Sequence, residues 1–487
     1  MTCFFGGNKL SKTSVMWFRR DLRVSDNIAL AHAVENSDKI LFVFHIDTQQ
    51  LEKQPTVNQS SFFASVQQLK KSLKKQNINL YVFYGELKDM FNHIKKQLPH
   101  WRDLYFNRDE HGYGGERDQV ITKYCQEKLN ISVHATMDYN LHAAHDIKKA
   151  DGHYYQVFTP YFKRWMTLVK SNPITIDLTN ISQEHLTVST LEQDSMLDAL
   201  IDEKHSYAYV DQIGEDKARK ILSDFIENKL TQYDQNRDVP SLDATSHLSR
   251  YLRTGEISIR VVYEGIKQAP DSDGRSTFIK ELCWRDYYNM IYATHPQQNE
   301  SAIRPEFRQI RWRDDKIGFD DWQTGHTGFP IVDAAMRQLN ETGWMHNRLR
   351  MIVASFLTKD LLINWQWGEN YFKQKLVDYD PASNIGGWQW AASTGTDSVP
   401  YFRIFNPTLQ SKKFDPQGLF IKKYIPELKR IPGAKIHEPN KLSSIDQKRY
   451  HISIGHDYPK PIVNHKTARI NAIAAYEKSK TMNSVDI

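Results

Sequence analysis

The sequence predicts an amino-terminal α/β region built on a doubly wound, Rossmann-like parallel sheet, joined by a long linker to an all-helical region. Three observations support this prediction. The 487 residues exceed one ordinary core, strand and helix signals alternate over the first 140 residues, and strand signals nearly vanish from Ala208 onward. We expect an α/β domain over 13–140, a linker over 141–205 and a helical domain over 206–480.

Short apolar runs rich in branched and aromatic residues predict five strands. They lie at Val15–Phe18, Lys39–Ile46, Asn79–Tyr84, Leu104–Asn107 and Ile131–His134. Helical stretches separate them at Asn27–Glu35, Ser60–Lys75, Glu86–Gln97 and Glu116–Leu129. Strands that alternate with helices favour a parallel sheet, and right-handed crossovers place helices on both of its faces.

A glycine-rich segment, Gly112-Tyr-Gly-Gly-Glu-Arg117, follows the fourth predicted strand. Read as a dinucleotide fingerprint it fails, because Arg117 holds the third glycine position and the fingerprint normally follows the first strand. A plain turn is the better interpretation.

The linker prediction rests on Pro173 to Lys204, which is polar and has no clear periodicity. Helical patterns follow, for example Ile331–Leu339, and Leu349–Ile363 with Leu349, Ile352, Phe356 and Leu357 on one face.

Composition excludes several classes of protein. No apolar run approaches the roughly 18 residues that span a bilayer, and the first ten residues lack the features of a signal peptide. Three widely spaced cysteines give no disulfide framework and no zinc motif, so we expect no metal and a cytoplasmic protein. The net charge of +6 is modest, but Lys412-Lys413, Lys422-Lys423 and Lys429-Arg430 could contact phosphates.

Tryptophan is concentrated in one stretch, since eight of the eleven lie between Trp284 and Trp390. Around them stand Arg, Asn and His, in strings such as Gly343-Trp-Met-His-Asn-Arg-Leu-Arg-Met351 and Asn384-Ile-Gly-Gly-Trp-Gln-Trp390. Such a set indicates a flat ligand and electron movement between rings. A Trp-rich helical core is the alternative, and composition alone favours it.

These strings, with Met16-Trp-Phe-Arg-Arg-Asp-Leu-Arg-Val-Ser-Asp-Asn27, Thr245-Ser-His-Leu-Ser249 and Glu281-Leu-Cys-Trp-Arg-Asp-Tyr-Tyr288, resemble the photolyase/cryptochrome flavoproteins. The resemblance is greatest to class I cyclobutane pyrimidine dimer photolyases of bacteria. It begins at Met16 and continues to about Tyr476, and only about 170–225 carries nothing recognisable.

The resemblance implies non-covalent FAD in the helical domain, with an antenna chromophore in or beside the α/β domain. Thr245–Ser249 corresponds to the flavin-phosphate segment, although His247 and Arg250 depart from common choices there. Asn384 corresponds to the residue that faces flavin N5, and Arg350 to the partner of Asp378. The implied FAD-binding residues are Tyr233, Thr245, Ser246, His247, Leu248, Ser249, Arg350, Asp378, Tyr379, Asp380 and Asn384.

The resemblance also implies an electron relay and a pocket for damaged DNA. Trp388, Trp365 and Trp312 correspond to tryptophans that carry electrons from the surface to the photoexcited flavin. Glu281 would hydrogen-bond a flipped-out dimer, which leaves the helix at reduced cost because it has lost its pairing. The implied DNA-binding residues are Arg237, Glu281, Trp284, Arg285, Tyr288, Asn347, Arg348, Met351, Trp390, Arg403 and Gln410, with Trp390 favoured as a packing neighbour.

The leading hypothesis is therefore a light-dependent DNA repair lyase that acts on UV-damaged DNA as a monomer, with no obligate protein partner, near the nucleoid. A cryptochrome-like photoreceptor is the alternative, which the pocket residues and the lack of a long tail after Tyr476 oppose. A plain flavin oxidoreductase has no visible second substrate motif. The antenna could be methenyltetrahydrofolate, a deazaflavin, another flavin or none. The acidic residue that folate-binding relatives use is missing near Gly114.

Overall fold

The parallel sheet predicted for the first region is present in the computed structural model, which describes residues 12–51, 56–179, 181–186, 194–201 and 213–483. Its strands run in the order β3-β2-β1-β4-β5, and all pairs are parallel. They are β1 Thr13–Phe18, β2 Lys39–Asp47, β3 Leu80–Gly85, β4 Asp103–Asn107 and β5 Ser132–Thr136, with a short β6, Ser182–Gln183, beside β2.

Helices cover both faces of this sheet. They are α1 Ile28–Asn36, α2 Val57–Lys74, α3 Leu87–Gln97 and α4 Gly112–Leu129. Alternate side chains of a strand point to opposite faces, so Met16 packs with α1 and α2 in one apolar layer, whereas Trp17 packs with α3 and α4 in the other. The doubly wound prediction is confirmed.

The segment predicted to be a plain turn is instead the start of α4. The helix begins at Gly112, directly after His111. A side chain at Gly114 would overlap the carboxylate of Asp109, and one at Gly115 would crowd the backbone of Glu110. The glycines therefore allow a tight strand-to-helix connection, and the turn prediction was wrong.

The linker contains more structure than its polar sequence indicated. It includes α5, Phe158–Thr167, which buries Phe158, Tyr161 and Trp165, and α6, Asp194–Ala199. Residues 187–193 and 202–205 of the predicted linker, and 206–212 of the predicted helical domain, lie outside the described residues.

The second region is helical, as predicted. Within residues 213–483 the only extended pairing is a bridge between Ile454 and Tyr458. Its helices are α7 Glu215–Asn228, α8 Tyr233–Asn236, α9 Ser249–Thr254, α10 Ile259–Gln268, α11 Asp273–Thr294, α12 Lys316–Thr324, α13 Pro330–Thr342, α14 Asn347–Ser355, α15 Trp365–Lys375, α16 Pro381–Ala391, α17 Pro407–Phe414, α18 Leu419–Tyr424, α19 Gly433–Ile436, α20 Ser444–Tyr450 and α21 His465–Asn483. The helix predicted to reach Ile363 ends at Ser355 and continues as a π-helical turn, Phe356–Asp360.

The helical region closes the crevice at the carboxyl ends of β1 and β4, where the strand order reverses and α/β proteins usually bind ligands. The Leu22 N–H donates to the Thr254 carbonyl over 3.2 Å. Gly255 has a φ of +74° and lies so close to the Arg20 carbonyl that any side chain there would overlap it. The two regions are therefore in direct backbone contact just after α9.

Candidate functional site

Asp378 is the centre of a charged cluster that joins α9, α14 and the segment before α16. The Arg350 guanidinium donates to both carboxylate oxygens, over 3.0 and 2.9 Å. The Ser249 hydroxyl donates to Asp378 Oδ2 over 2.6 Å. The Asp378 side chain is only 2% exposed whereas that of Arg350 is 25% exposed. The arrangement holds a positive group at an accessible surface by means of a buried carboxylate.

The Thr245–Ser249 segment is a loop for most of its length, because α9 begins only at Ser249. Ser246 Oγ accepts from the Leu248 N–H over 3.3 Å, and His247 has a φ of +53°. His247 contacts Asp243 at 2.7 Å and packs on Trp344, with the ring centroids 4.6 Å apart. No side chain caps α9, so its first N–H groups can meet an anionic ligand.

Asp380 begins α16 and ties it to the α/β region. Its carboxylate accepts from the Ser383 N–H over 3.0 Å and from the Tyr139 hydroxyl over 2.9 Å. Burial opposes its ionisation, but the nearby charges of Arg20, Arg285 and Arg253 outweigh burial and hold its pKa well below the usual range. Asp380 is therefore an anion that fixes the start of the helix carrying Asn384.

Glu369 binds both Asn384 and Tyr379, a role that no sequence pattern indicated. Asn384 Nδ2 donates to Glu369 Oε1 over 3.1 Å, and the Tyr379 hydroxyl donates to the same oxygen over 2.9 Å. Burial raises the pKa of the Glu369 carboxyl, against the effect of these two hydrogen bonds. The amide end of Asn384 is thereby occupied, and its oxygen remains for another partner.

The two glycines after Asn384 have different surroundings. A side chain at Gly386 would overlap the ring of Tyr288, so this position is filled by protein. A Cβ at Gly387 would meet no atom within 4 Å. Of the pair, Gly387 alone leaves space for a flat ligand.

The three relay candidates differ in burial. Trp388 and Trp365 are 2% and 3% exposed in one core cluster, and Trp312 is half-buried against the same cluster. Trp388 packs on Phe372 with the ring centroids 5.1 Å apart, and Trp312 meets Tyr476 edge-to-face at 6.2 Å. The three residues therefore belong to one packed unit that reaches the surface at Trp312.

Glu281 and Trp284 lie one turn apart on α11. Glu281 forms an ion pair with Arg237 at 2.5 Å. The Trp284 ring stacks on Phe158 of α5, with a centroid distance of 3.6 Å and an interplanar angle of 5°, and its other neighbours include Tyr288 at 5.5 Å. One face of Trp284 is therefore covered by the linker.

Arg285, which was predicted to contact DNA, is held by other protein groups. Its guanidinium donates to the Tyr139 carbonyl and to Asn140 Oδ1 over 2.6 and 2.5 Å, and lies 3.9 Å from the centre of the Tyr139 ring. These oxygens of the α/β region, with the Leu252 carbonyl at 3.3 Å, satisfy the charge of Arg285, although it lies one turn after Glu281 on α11.

The other predicted DNA contacts lie on α14, on α17 and nearby. Arg348 forms a two-pronged ion pair with Asp238, at 3.1 and 2.6 Å, and lies over the Phe414 ring. The remaining side chains reach solvent: Asn347 and Arg403 are exposed, and Met351, Trp390 and Gln410 are half-buried. Tyr233 is buried against Phe225 and Phe278.

Comparison with known proteins gives full-length matches. A family model for DNA photolyase matches residues 14–177, and one for the FAD binding domain of DNA photolyase matches residues 278–478. A deoxyribodipyrimidine photo-lyase of Alkalihalophilus pseudofirmus is 43% identical, over 97% of this chain and 99% of its own length. The Escherichia coli protein of the same name is 36% identical, over 96% of this chain and 99% of its own length. This chain belongs to the DNA photolyase family.

Comparison with solved structures supports the same family. A class III photolyase from Agrobacterium tumefaciens superimposes with a TM-score of 0.90 at 32% identity, covering 98% of this chain and 100% of that one. An archaeal photolyase from Sulfolobus tokodaii, described with two FAD molecules, gives 0.82 at 31% identity, covering 96% and 100%. A Synechocystis cryptochrome gives a TM-score of 0.84 at 28% sequence identity, covering 95% of this chain and 99% of that one. The predicted family and FAD-binding domain are confirmed, while assignment to class I stays a prediction.

The photolyase cofactor FAD fits the residues present. A dinucleotide needs anion donors at one end and hydrogen-bonding groups with space at the other. The uncapped start of α9 with its serines supplies the first, and Arg350, Asn384 and the open face of Gly387 supply the second. Among the described residues there is no group of three or more His, Cys, Asp or Glu that could hold a metal, and no helix long and apolar enough to cross a membrane.

A folate held by a carboxylate fits the photolyase antenna position poorly. Gly114 has no room for a side chain beside Asp109. The flanking Glu110 is already engaged by the Ala144 N–H at 3.1 Å and by Asn289 at 2.9 Å. Gly114 and Glu110 therefore do not supply the acidic partner of a folate antenna, whereas the other flanking carboxylate, Glu116, is exposed.

Proposed function

We propose that this family member is a deoxyribodipyrimidine photo-lyase, a carbon–carbon lyase that uses light to split cyclobutane pyrimidine dimers in UV-damaged DNA. The full-length relatives at 32–43% identity carry this name, which favours repair over cryptochrome signalling. The observation that carries the proposal is the Ser249–Asp378–Arg350 cluster, which brings a hydroxyl, a buried anion and an accessible cation to one place.

FAD, when bound and fully reduced, supplies the light-excited electron that opens the cyclobutane ring and returns afterward. Thr245 and Ser246 would bind its phosphates through hydroxyl donors, and Ser249 through its backbone N–H, because its hydroxyl donates to Asp378. Arg350, held by Asp378, would stabilise negative charge on the isoalloxazine ring. Asn384 would present its carbonyl oxygen to N5, because Glu369 binds its amide nitrogen.

On the DNA-binding surface, one set of residues would recognise the dimer and another would provide general affinity for DNA. Glu281 would hydrogen-bond the pyrimidine edge of the dimer, and Trp284 and Met351 would form apolar walls. Exposed Arg403, with Arg348 and Gln410, would contact phosphates or flanking bases. Arg285 is left out of this proposal because Tyr139 and Asn140 of the α/β region bind its guanidinium.

Several predictions remain proposals of the same kind. These are the domain limits 13–140, 141–205 and 206–480, the monomeric state without an obligate protein partner, and cytoplasmic location near the nucleoid. The presence of an antenna chromophore is also a proposal, and the residues around Gly114 favour a deazaflavin or a second flavin over a folate.

A repair assay tests the function directly. Purified protein with reduced FAD should restore an oligonucleotide that carries one thymine dimer under blue light and leave it unchanged in the dark. Glu281→Ala should lower the ratio of damaged to undamaged DNA bound, whereas Arg403→Ala should weaken both and reduce the slope of log K against log salt by about 0.9. Binding of FAD without light-dependent repair would contradict the proposal and favour a photoreceptor.

A further inference from the structure

The linker helix α5 reaches the proposed dimer pocket through one residue. Phe158 is the first residue of α5, more than a hundred positions before Trp284. Its ring lies parallel to the Trp284 ring, with 3.6 Å between centroids and 5° between planes. So short a separation between parallel planes leaves almost no lateral offset, and Phe158 covers one indole face.

Contacts on several sides fix Phe158 itself. Its side chain is 8% exposed, and its ring meets Tyr287 edge-to-face at 5.7 Å and Phe162 at 5.9 Å. Its N–H donates to Asp397 Oδ2 over 3.3 Å. Two residues earlier in the chain, the Gln156 carbonyl accepts a hydrogen bond from the Tyr287 hydroxyl over 2.9 Å. The start of α5 is thus attached to α11 and to the loop after α16.

This arrangement restricts Trp284 to one orientation. Phe158 blocks one face, while Tyr287 and Tyr288 lie against the indole at centroid distances of 5.4 and 5.5 Å. An aromatic side chain that is already ordered loses less rotamer entropy when a ligand packs on its free face. Removal of the Phe158 ring would let the indole rotate, because no other ring stacks on that face at comparable distance.

We propose that Phe158 is a positioning residue for dimer recognition, which holds the Trp284 indole in the orientation that receives the dimer. The linker is then part of the recognition site as well as a connection between domains. This inference rests on the proposed function, in which Trp284 is a wall of the dimer pocket. Phe158 would not touch DNA, and it would act on selectivity through Trp284.

The test uses the full-length, FAD-loaded protein and measures Kd for dimer-containing and undamaged oligonucleotides. Phe158→Leu should weaken dimer binding about fivefold, the cost expected for one freed side chain, and leave undamaged binding unchanged. It should raise KM for repair without changing kcat. Phe158→Tyr, which keeps the ring, should restore the wild-type values. Phe91→Leu is the matched control, because Phe91 is also a buried ring that stacks on a tryptophan, Trp101, but belongs to the layer between the sheet and α3.

Several outcomes would overturn the inference. These are equal weakening of both substrates by Phe158→Leu, an equal selectivity loss from Phe91→Leu, or no loss from Phe158→Leu where Trp284→Ala does lower selectivity. If Trp284→Ala is itself without effect, the proposed pocket fails and the inference fails with it. If Phe158→Leu does not fold, Phe158→Met in a double-mutant cycle with Trp284→Ala replaces it, and additive effects on dimer binding would contradict the proposal.

Discussion

Asn384 and Glu369 show how one buried contact determines which end of an amide is available. Glu369 Oε1 accepts from Asn384 Nδ2, and the same oxygen accepts from Tyr379. The second N–H of Asn384 faces the Glu369 backbone carbonyl, 3.5 Å from the nitrogen, so the amide oxygen is the group left for a ligand. In the proposed site Asn384 would therefore accept a hydrogen bond from N5–H of reduced flavin.

Replacing Asn384 with Ser should remove that hydrogen bond and make the reduced flavin less stable. A hydrogen bond to a charged group contributes about 1.5–3 kcal/mol, which is enough to change the flavin potential measurably. The variant should still bind FAD and should reoxidise faster in air. Glu369→Gln is the control, because a Gln carbonyl can still accept from Asn384. Wild-type reoxidation in Asn384→Ser would mean that Asn384 only packs.

Asp286 is a second buried carboxyl, and its ionisation links stability to pH. It accepts hydrogen bonds from Trp165 Nε1 at 2.8 Å and from the His142 N–H at 3.1 Å. Burial nevertheless raises its pKa from 3.8 to about 6. The folded protein holds this proton more tightly than the unfolded chain, so the stability Asp286 contributes is present below pH 4 and is lost as pH rises to 6.

Asp286→Asn should remove this dependence. Relative to the variant, the wild type should lose up to about 3 kcal/mol of stability as pH rises from 4 to 6, and the difference should stay constant above that. Melting temperatures of both proteins across this range measure it. A wild-type advantage that grows with pH would show that Asp286 is ionised and stabilising in the fold.

At the scale of elements, α15 and α16 are in contact where Gly368 faces Trp388. A Cβ at Gly368 would overlap the far edge of the indole, so the absence of a side chain lets Trp388 lie against α15. Gly368→Ala should lower stability by about 1–3 kcal/mol through overpacking and slow the photoreduction of oxidised flavin. Gly265→Ala is the control, because the nearest atom there is the flexible end of Ile226 at 3.1 Å. Equal melting temperatures for the two variants would contradict the prediction.

For Trp312, at the outer end of the proposed relay, we predict a different result. Trp312 is the half-buried member of the three, so its replacement by Phe should preserve the core and interrupt electron supply from the surface. We expect Trp312→Phe to block photoreduction and to leave repair by chemically reduced enzyme nearly intact, since the repair electron comes from the flavin. Parallel loss of both activities would argue against the relay.

Sequence patterns predicted those elements whose signal is local. Alternating strand and helix periods gave β1 to β5 and α1 to α3, because each pattern lies within about twenty residues. Contacts between distant segments were missed: Phe158 with Trp284, Asp238 with Arg348, and Arg285 with Tyr139. No periodicity encodes them, since only the folded chain brings these residues together. The glycines that begin α4 were misread because helix propensity disfavours them, while close packing requires them.

At the scale of the whole molecule, the two regions share a buried network of charges. Asp138 of the α/β region accepts from Arg23 at 2.5 Å and from Arg260 of α10 at 2.6 Å, and Arg260 also pairs with Asp26 at 3.1 Å. All four side chains are 3% exposed or less. Burial opposes ionisation of Asp138, yet the two guanidinium groups lower its pKa.

Asp138→Asn should therefore destabilise both regions together. Removing one member of a buried ion network leaves charge without compensation, at a cost of about 3–5 kcal/mol. Thermal unfolding followed by tryptophan fluorescence and by FAD release should shift downward together. Asp446→Asn is the control, because its pair with Lys435 is at the surface and should matter little. A shift in only one of the two signals would show that the regions unfold independently.

The same network has a consequence for how the protein is made. Asp26 and Asp138 leave the ribosome long before Arg260, and strands β1 to β5 are complete in sequence by Thr136. At a synthesis rate of roughly 5–20 residues per second, on the order of ten seconds pass between the synthesis of these strands and that of Arg260. During that interval Asp26 lacks its guanidinium partner, and the Arg20–Asp21 backbone on which Gly255 packs in the folded protein is uncovered. The amino-terminal domain therefore acquires its final stability only when translation has passed α10.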